Sequence, residues 1–351
     1  VDLDGERAAR LRAWLGERLG CRAVRIVRLA PLAGGAIQDN HALDLEVEGG
    51  AWHGALALVL RSDAPATLAT SLGRAEEFAV LETARAAGVT VPEPLWLCTD
   101  RAVIGRPFYL MRRLPGVAAG HRLVRDPALT EATRERLVER LGAELARLHA
   151  VRPPEPRLAF LAPPAGGAAA AARIATYRGY LDALPEPQPV LEWGLAWLER
   201  NAPPPGEVVL CHSDFRTGNY LVHEGELAGI LDWEFAAWSD PHEDLAWFCA
   251  RCWRFGAWER EAGGMASREA FYRGYQRASG RRIDAERIAY WEVMAAARWA
   301  LIALQQAERH CSGGERSLEL ALTGQMVAEM ELEMLDGIEA LEGRQLAQVP
   351  A

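Results

Sequence analysis

Four residues between His212 and Asp232 have the types and spacing to do chemistry. His212, Asp214 and Asn219 stand as H-x-D-x-x-x-x-N in the run C-H-S-D-F-R-T-G-N-Y-L, and Asp232 closes the short apolar run Ile230-Leu231. Phosphoryl transfer from a nucleotide needs such a set. One carboxylate accepts the proton of the attacking hydroxyl, while an amide and a second carboxylate hold Mg2+ against the phosphates. Single Asp and Asn residues commonly do no more than hydrogen-bond a turn. Three of them together with His212, in a strand–loop–hairpin context, point to catalysis.

The flanking residues supply that context. Val208-Val209-Leu210 reads as a short buried strand leading into the loop. Tyr220-Leu221-Val222, a turn at Glu224-Gly225-Glu226 and then Leu227 to Leu231 read as a hairpin. Upstream, residues 4–19 put Ala8, Leu11, Leu15 and Leu19 on one face of an amphipathic helix. A strand over Val24–Leu29 leads to the turn Pro31-Leu32-Ala33-Gly34-Gly35-Ala36. Leu43, Leu45 and Val47 alternate with charged residues as a half-exposed strand, and Ala55–Leu60 form an apolar strand ending at Arg61. A helix is expected over Leu68–Ala87, stopped by Gly88, with strands near Leu95–Cys98 and Pro107–Met111 after Pro92 and Pro94. This order predicts a small antiparallel sheet with one packed helix.

From Leu114-Pro115-Gly116 the pattern becomes helical, as in the repeat Leu137, Leu141, Leu145, Leu148. Arg152–Gly167 and Ala202–Gly206 read as surface loops, and Asp244–Glu342 as mostly helix. Two domains are therefore expected, 1–113 and 114–351, with the boundary near 112–116.

Composition excludes several classes. The 351 residues, half of them hydrophobic, suffice for two domains with buried cores. A net charge of -9 argues against a nucleic-acid or anionic-membrane partner. All 39 basic residues are arginine, which rules out a Schiff base, a pyridoxal anchor and a P-loop lysine. The six cysteines, at 21, 98, 211, 249, 252 and 311, show no disulfide framework, so a reducing cytoplasm is expected. Cys249-x-x-Cys252 has no second pair to complete a zinc site. No run reaches the ~18 apolar residues of a membrane span, and no basic start ahead of an apolar stretch suggests a signal peptide.

With those residues placed, the chain resembles the aminoglycoside phosphotransferase and choline kinase family, relatives of the protein kinases. Within it the chain is similar to the branch whose members are fused to, or encoded beside, acyl-CoA dehydrogenases. The resemblance is strongest at G-G-A-I-Q-D-N (34–40), L-V-L-R (58–61), E-E-F-A-V-L (76–81), P-F-Y-L-M-R-R-L-P-G (107–116), H-S-D-F-R-T-G-N-Y-L (212–221) and I-L-D-W-E through D-P-H-E-D-L-A-W (230–247). It implies an α+β, protein-kinase-like fold with an N-terminal antiparallel sheet lobe and a larger helical C-terminal lobe. It also implies ATP and Mg2+ as cofactors and a small-molecule hydroxyl as acceptor. Asp214 is implied as the catalytic base, and Asn219 and Asp232 as the Mg2+ ligands. Glu77 is implied as the helix glutamate that pairs with the basic residue ending the third strand, and the hinge Arg112–Leu114 as the backbone facing the adenine.

The chain departs from the family pattern twice. The strand residue that is usually lysine is Arg61, which keeps the charge and offers phosphate a two-pronged fork from a longer side chain. Gly34-Gly35 is poorer in glycine than G-x-G-x-x-G, but its place before two strands lets backbone N–H groups approach phosphates.

Weaker signals have structural readings. Asp240 sits before Pro241, and Asp244 reads as a helix cap or as a partner of the catalytic loop. Glu234 either reaches the metal or stabilises the loop. His212 is expected to orient the loop, and His149 to be a satisfied cap. Seven of the 12 tryptophans (233, 238, 247, 253, 258, 291 and 299) fall in the C-terminal third. Most are expected in the core, with some free to line an apolar acceptor pocket. Arg309, His310 and Arg316 near Gly313-Gly314 could meet an anionic acceptor group. Glu329, Glu331, Glu333, Asp336 and Glu339 could instead attract a cationic aminoglycoside, or form a solvated face.

These residues point to a small-molecule kinase whose acceptor is a hydroxyacyl thioester or other apolar alcohol. The alternatives are an aminoglycoside or macrolide kinase and, in another class, a nucleotide-binding pseudokinase. A protein kinase is disfavoured, because neither D-F-G nor A-P-E follows the catalytic loop.

Overall fold

The computed structural model describes residues 5–32, 39–63, 71–314 and 316–348. The expected phosphate turn at Gly34 and Gly35 lies outside the described residues. The chain divides into two compact units. One comprises Val1–Thr133, Pro154–Phe160 and Gly218–Ala236, and the other Arg134–Pro153, Leu161–Thr217 and Ala237–Ala351.

The first unit is built on a five-stranded antiparallel sheet. Helix α1 (Gly5–Leu19) precedes strands β1 (Ala23–Pro31), β2 (Asp39–Glu48) and β3 (Gly54–Ser62). Helix α2 (Arg74–Ala86) and strands β4 (Pro94–Cys98) and β5 (Phe108–Arg112) follow, in the sheet order β1-β2-β3-β5-β4. Alternation along β3 explains why that strand is apolar on both sides. Leu58 and Leu60 join Leu11 and Leu15 of α1 in one core. Arg61, registered against Tyr109 of β5, is therefore turned to the opposite face. On that face Phe78 of α2 packs edge-on against Tyr109, ring centroids 5.6 Å apart.

Helix α2 starts later than the periodicity suggests. Ser71, Leu72 and Gly73 are not helical, and the helix begins at Arg74 with Gly73 as its cap. Glu76 reaches back to accept the Gly73 N–H at 2.9 Å, the reciprocal contact that fixes a helix start. A short helix, Arg101–Ile104, was not anticipated; Asp100 caps it and Gly105 ends it at φ 91°.

The hairpin pairs Tyr220–His223 with Glu226–Ile230 through a two-residue turn. Its turn residues, Glu224 and Gly225, both have positive φ, the backbone that matches the twist of paired strands. Ile230 N–H donates to Thr90 O at 2.9 Å, and Val117 bridges Val222, which ties the hairpin into the first unit.

The second unit is mainly helical, with one small ribbon pairing Val209–Cys211 with Ala237–Ser239. Its core sets Leu191, Leu195 and Leu198 against Trp291, Met294, Ala297 and Leu301 of helix Ala285–Cys311. Met330, Met334 and Ile338 of helix Val327–Gln348 complete it at intervals of one turn. Helices Glu131–Leu148 and Arg268–Ser279 cross at two glycines. A Cβ on Gly142 would stand 2.2 Å from Phe271 O, and one on Gly274 2.0 Å from Glu139 O. No helix among the described residues is long and apolar enough to cross a membrane.

Candidate active site

In the first unit the candidate residues gather around Arg61. Its Nε donates to Glu77 Oε2 at 3.0 Å, and Nη2 lies 2.9 Å from Glu77 Oε1, an ion pair with one hydrogen bond in which both side chains are buried. Nη2 also donates to Asp232 Oδ1 at 2.6 Å, and Nη1 reaches Asn40 Oδ1 at 3.4 Å. Burial opposes the charge on Arg61, but Glu77 and then Asp232 outweigh it and hold the guanidinium firmly cationic.

Glu77 is shared. Arg74, almost fully buried, donates to Glu77 Oε2 as well as to Asp63 Oδ1 (2.9 Å) and Leu72 O (2.8 Å). Sequence reasoning passed over Arg74, although its place one helical turn before Glu77 was a usable signal. Glu234 is buried with Oε1 3.8 Å from Arg61 Nη2, and its carbonyl accepts from Leu72 N–H at 2.8 Å.

Asn219 and Asp232 are brought to one place by the backbone, since Leu231 N–H donates to Asn219 O at 2.8 Å. Asp232 takes φ 66°, a conformation Asp tolerates better than most residues, and its side chain is 28% exposed. An amide and a carboxylate form the hard-oxygen donor set that suits Mg2+, and the carboxylate already faces a cation.

In the second unit the loop carrying Asp214 is pinned from behind. Asp244 accepts His212 N–H at 2.7 Å on Oδ2 and Ser213 N–H at 2.8 Å on Oδ1. Asp244 therefore braces the loop that carries Asp214 and is not a helix cap; the cap of helix Pro241–Cys249 is Asp240, which accepts His242 N–H at 2.8 Å. Ser213 takes φ 60°, and Asp214 N–H donates to His212 Nδ1 at 3.2 Å, which turns the loop at the residue before Asp214.

Each oxygen of the Asp214 carboxylate meets a donor. Trp247 Nε1 reaches Oδ1 at 2.9 Å, and Arg216 Nε reaches Oδ2 at 3.1 Å. The Arg216 guanidinium lies over Trp253, 4.5 Å from the ring centroid, and that of Arg298 lies 4.1 Å over Trp247. Arg216, two residues after Asp214, was legible as a charge beside that carboxylate and was missed. Trp247 ends the run D-P-H-E-D-L-A-W, but nothing in the sequence marked it as a partner of Asp214.

His149 is buried in this network and is not a cap. Its Nε2 is 3.2 Å from Asp244 Oδ2, and its Nδ1 is 2.9 Å from the Tyr275 hydroxyl. A neutral imidazole satisfies both, donating from Nε2 and accepting at Nδ1. Burial lowers its pKa and outweighs the pull of Asp244. Burial alone would raise the pKa of Asp244, but its hydrogen bonds from His149 and from the backbone N–H of His212 lower it. Cys211 completes a buried trio with His149 and Asp244. Its thiol donates to Asp240 O at 3.5 Å, and burial pushes its pKa up strongly.

At the stretch Arg112–Leu114, Arg112 N–H donates to Glu93 O at 2.9 Å and Arg113 N–H to Ala57 O at 3.1 Å. Both amides are thus committed within the first unit. Among the C-terminal tryptophans, Trp233, Trp238, Trp247, Trp253 and Trp291 are buried, whereas Trp258 is exposed. In the acidic stretch Glu329, Asp336 and Glu339 are exposed, while burial raises the pKa of Glu333. Cys249 is likewise pushed up to about 12 by burial.

A model of the phosphotransferase enzyme family matches residues 28–291 of the 351. The chain belongs to that family. The matched span of this family member contains Arg61, Glu77, Asp214, Asn219 and Asp232. The mouse protein named acyl-CoA dehydrogenase family member 10 is 32% identical over 199 residues, 55% of this chain and 18% of that protein. The chain spans a quarter or less of the length of the curated relatives it matches.

A solved structure from Ralstonia eutropha, assigned as an aminoglycoside phosphotransferase, superposes with TM-score 0.75 at 21% identity, covering 96% of this chain and 98% of that one. The ternary complex of APH(2")-IIa with streptomycin and ATP superposes with TM-score 0.56 at 15% identity, covering 87% of this chain and 91% of that one. The fold of this phosphotransferase is accordingly protein-kinase-like, an antiparallel sheet followed by a mostly helical remainder. The resemblance read from the motifs and these matches agree, including the relatives named for acyl-CoA dehydrogenases.

Proposed function

We propose that the chain is an ATP- and Mg2+-dependent kinase that phosphorylates a hydroxyl group of a small molecule, working in the cytoplasm. The observation that carries this reading is the Asp214 carboxylate, held in one orientation by Trp247 and Arg216 on a loop braced by Asp244. A carboxylate so held can orient an attacking hydroxyl and receive its proton. Asn219 and Asp232 would hold Mg2+, which when bound draws charge from the phosphate oxygens. Arg61, steadied by Glu77, would contact the α- and β-phosphates, the backbone at Gly34 and Gly35 would approach them, and the stretch Arg112–Leu114 would face the adenine. ATP use is supported by the ATP complex of the fold neighbour. Most of the catalysis is positioning and charge neutralisation.

For the acceptor we favour an apolar, hydroxylated and anionic molecule such as a hydroxyacyl thioester. Support comes from the partly exposed guanidinium of Arg216 beside Asp214 and from the names of the curated relatives. The exposed carboxylates Glu329, Asp336 and Glu339 and the streptomycin-bound neighbour support an aminoglycoside instead.

The test is ADP release with aminoglycosides, macrolides, choline-like alcohols and hydroxyacyl-CoA thioesters, each at low and high salt. A polycation held by carboxylates loses affinity steeply with salt, whereas an acyl chain in an aromatic pocket hardly responds. Turnover of a kanamycin-like compound with that salt dependence would overturn the acceptor choice. ATP binding without turnover on any member of the panel would favour a pseudokinase.

A further inference from the structure

Every nitrogen of Arg61 faces a protein oxygen. Nε is on Glu77, Nη1 on Asn40, and Nη2 on both Asp232 and Glu77, so each nitrogen of a residue only 6% exposed is engaged. The shortest of these contacts is Nη2 to Asp232 Oδ1, at 2.6 Å. Asp232 extends to it from a left-handed backbone position. Behind the same nitrogen stands Glu234, buried, with its Oε1 at 3.8 Å.

We propose that Arg61 Nη2 holds the place of the metal ion at Asp232, so that the metal and the Arg61–Asp232 ion pair exclude one another. Metal arrival would then move Nη2 from Asp232 to a phosphate oxygen of the nucleotide. This inference rests on the reading of Asp232 as a metal ligand. A divalent ion bound at the ~2.1 Å typical of Mg2+–oxygen contacts would meet the charge of a buried guanidinium on the same carboxylate. The exchange leaves no buried charge stranded, because Glu77 and Glu234 still face Arg61 once Asp232 is released. Glu234 thereby becomes a positioning residue that steadies the arginine during the exchange. Arginine suits this task because its fork spans Glu77 and Asp232 together. A lysine has one nitrogen and one point of charge, and beside Glu77 it would leave Asp232 to the metal.

The experiment measures Mn2+ binding to the full chain without nucleotide, by the electron paramagnetic resonance signal of the free ion. Wild type is compared with Arg61→Lys, Arg61→Met and Asp232→Asn. Both Arg61 variants should bind Mn2+ about tenfold more tightly, within the usual range of coupling between linked sites. Asp232→Asn should remove this binding. ATP should tighten Mn2+ binding less in Arg61→Lys than in wild type, because the competing pair is already broken. Arg61→Lys retains a charge beside Glu77 and decides the question if Arg61→Met fails to fold. Mn2+ affinity that depends on Asp232 yet is unchanged or weaker in Arg61→Lys would sink the exclusion while leaving Asp232 as the ligand. Binding indifferent to Asp232→Asn, with or without ATP, would overturn both.

Discussion

Asp244 accepts the backbone N–H of Ser213 at 2.8 Å, so a helix residue far along the chain sets the turn that precedes Asp214. The brace depends on protonation, because His149 beside it is held neutral and Asp244 ionised. Both groups have folded pKa values below their ordinary ones, and the signs agree. Above pH 6.5, the ordinary imidazole value, the contribution of His149 is complete. Below it, the unfolded chain binds a proton that folded His149 refuses, and stability falls. A further loss begins below pH 3.8, where unfolded Asp244 protonates before the folded residue does. Thermal unfolding from pH 8 to 5 should show the first loss, and His149→Gln should flatten it. Parallel slopes in the two proteins would assign the loss to another group, such as His41, whose pKa burial also lowers.

Asp214→Asn should leave folding and ATP binding intact while lowering kcat by about 10² or more, as loss of a general base does. Trp247→Phe removes the donor to Oδ1 but keeps an aromatic in the core, and should lower kcat about tenfold with KM little changed. Steady-state kinetics of the two variants checks the order. A Trp247→Phe enzyme matching wild type would show that Arg216 alone suffices to orient the carboxylate.

Asp232→Ala should weaken ATP binding and abolish its Mg2+ dependence in calorimetry, because the carboxylate is the charged member of the donor pair with Asn219. Metal dependence that survives the change would move the site away from Asp232.

Gly274→Ala should destabilise the protein by at least about 1–3 kcal/mol, the usual cost of forcing atoms into a packed core. Its Cβ would lie 2.0 Å from the backbone oxygen of Glu139, which no rotamer change can relieve. Gly179, inside helix Ala169–Asp182, has nothing within 4 Å of its Cβ position, so Gly179→Ala serves as the matched control. It should be neutral or up to about 1 kcal/mol stabilising in denaturant titrations. Equal effects at the two glycines would mean that the helix crossing is looser than the distances indicate.

The sequence by itself determined the local structure and the chemical cast. Alternation along Leu43, Leu45 and Val47, the three-to-four spacing of Leu137, Leu141, Leu145 and Leu148, and the turn at Glu224-Gly225 each specify an element through short-range backbone geometry. The spacing of His212, Asp214 and Asn219 is likewise local, set within one loop. What only the tertiary structure decided is which charged group meets which. Arg61 and Asp232 are 171 residues apart, Trp247 reaches Asp214 from 33 residues downstream, and Asp244 gives up a cap's place to hold the loop instead. No periodicity encodes such pairs. They form because packing buries the groups together, and a buried charge or N–H left without a partner costs more than the chain can bear. The late start of α2 has a smaller cause of the same kind: the apolar period runs on through Leu72, but Gly73 and the Glu76 side chain settle where the helix begins.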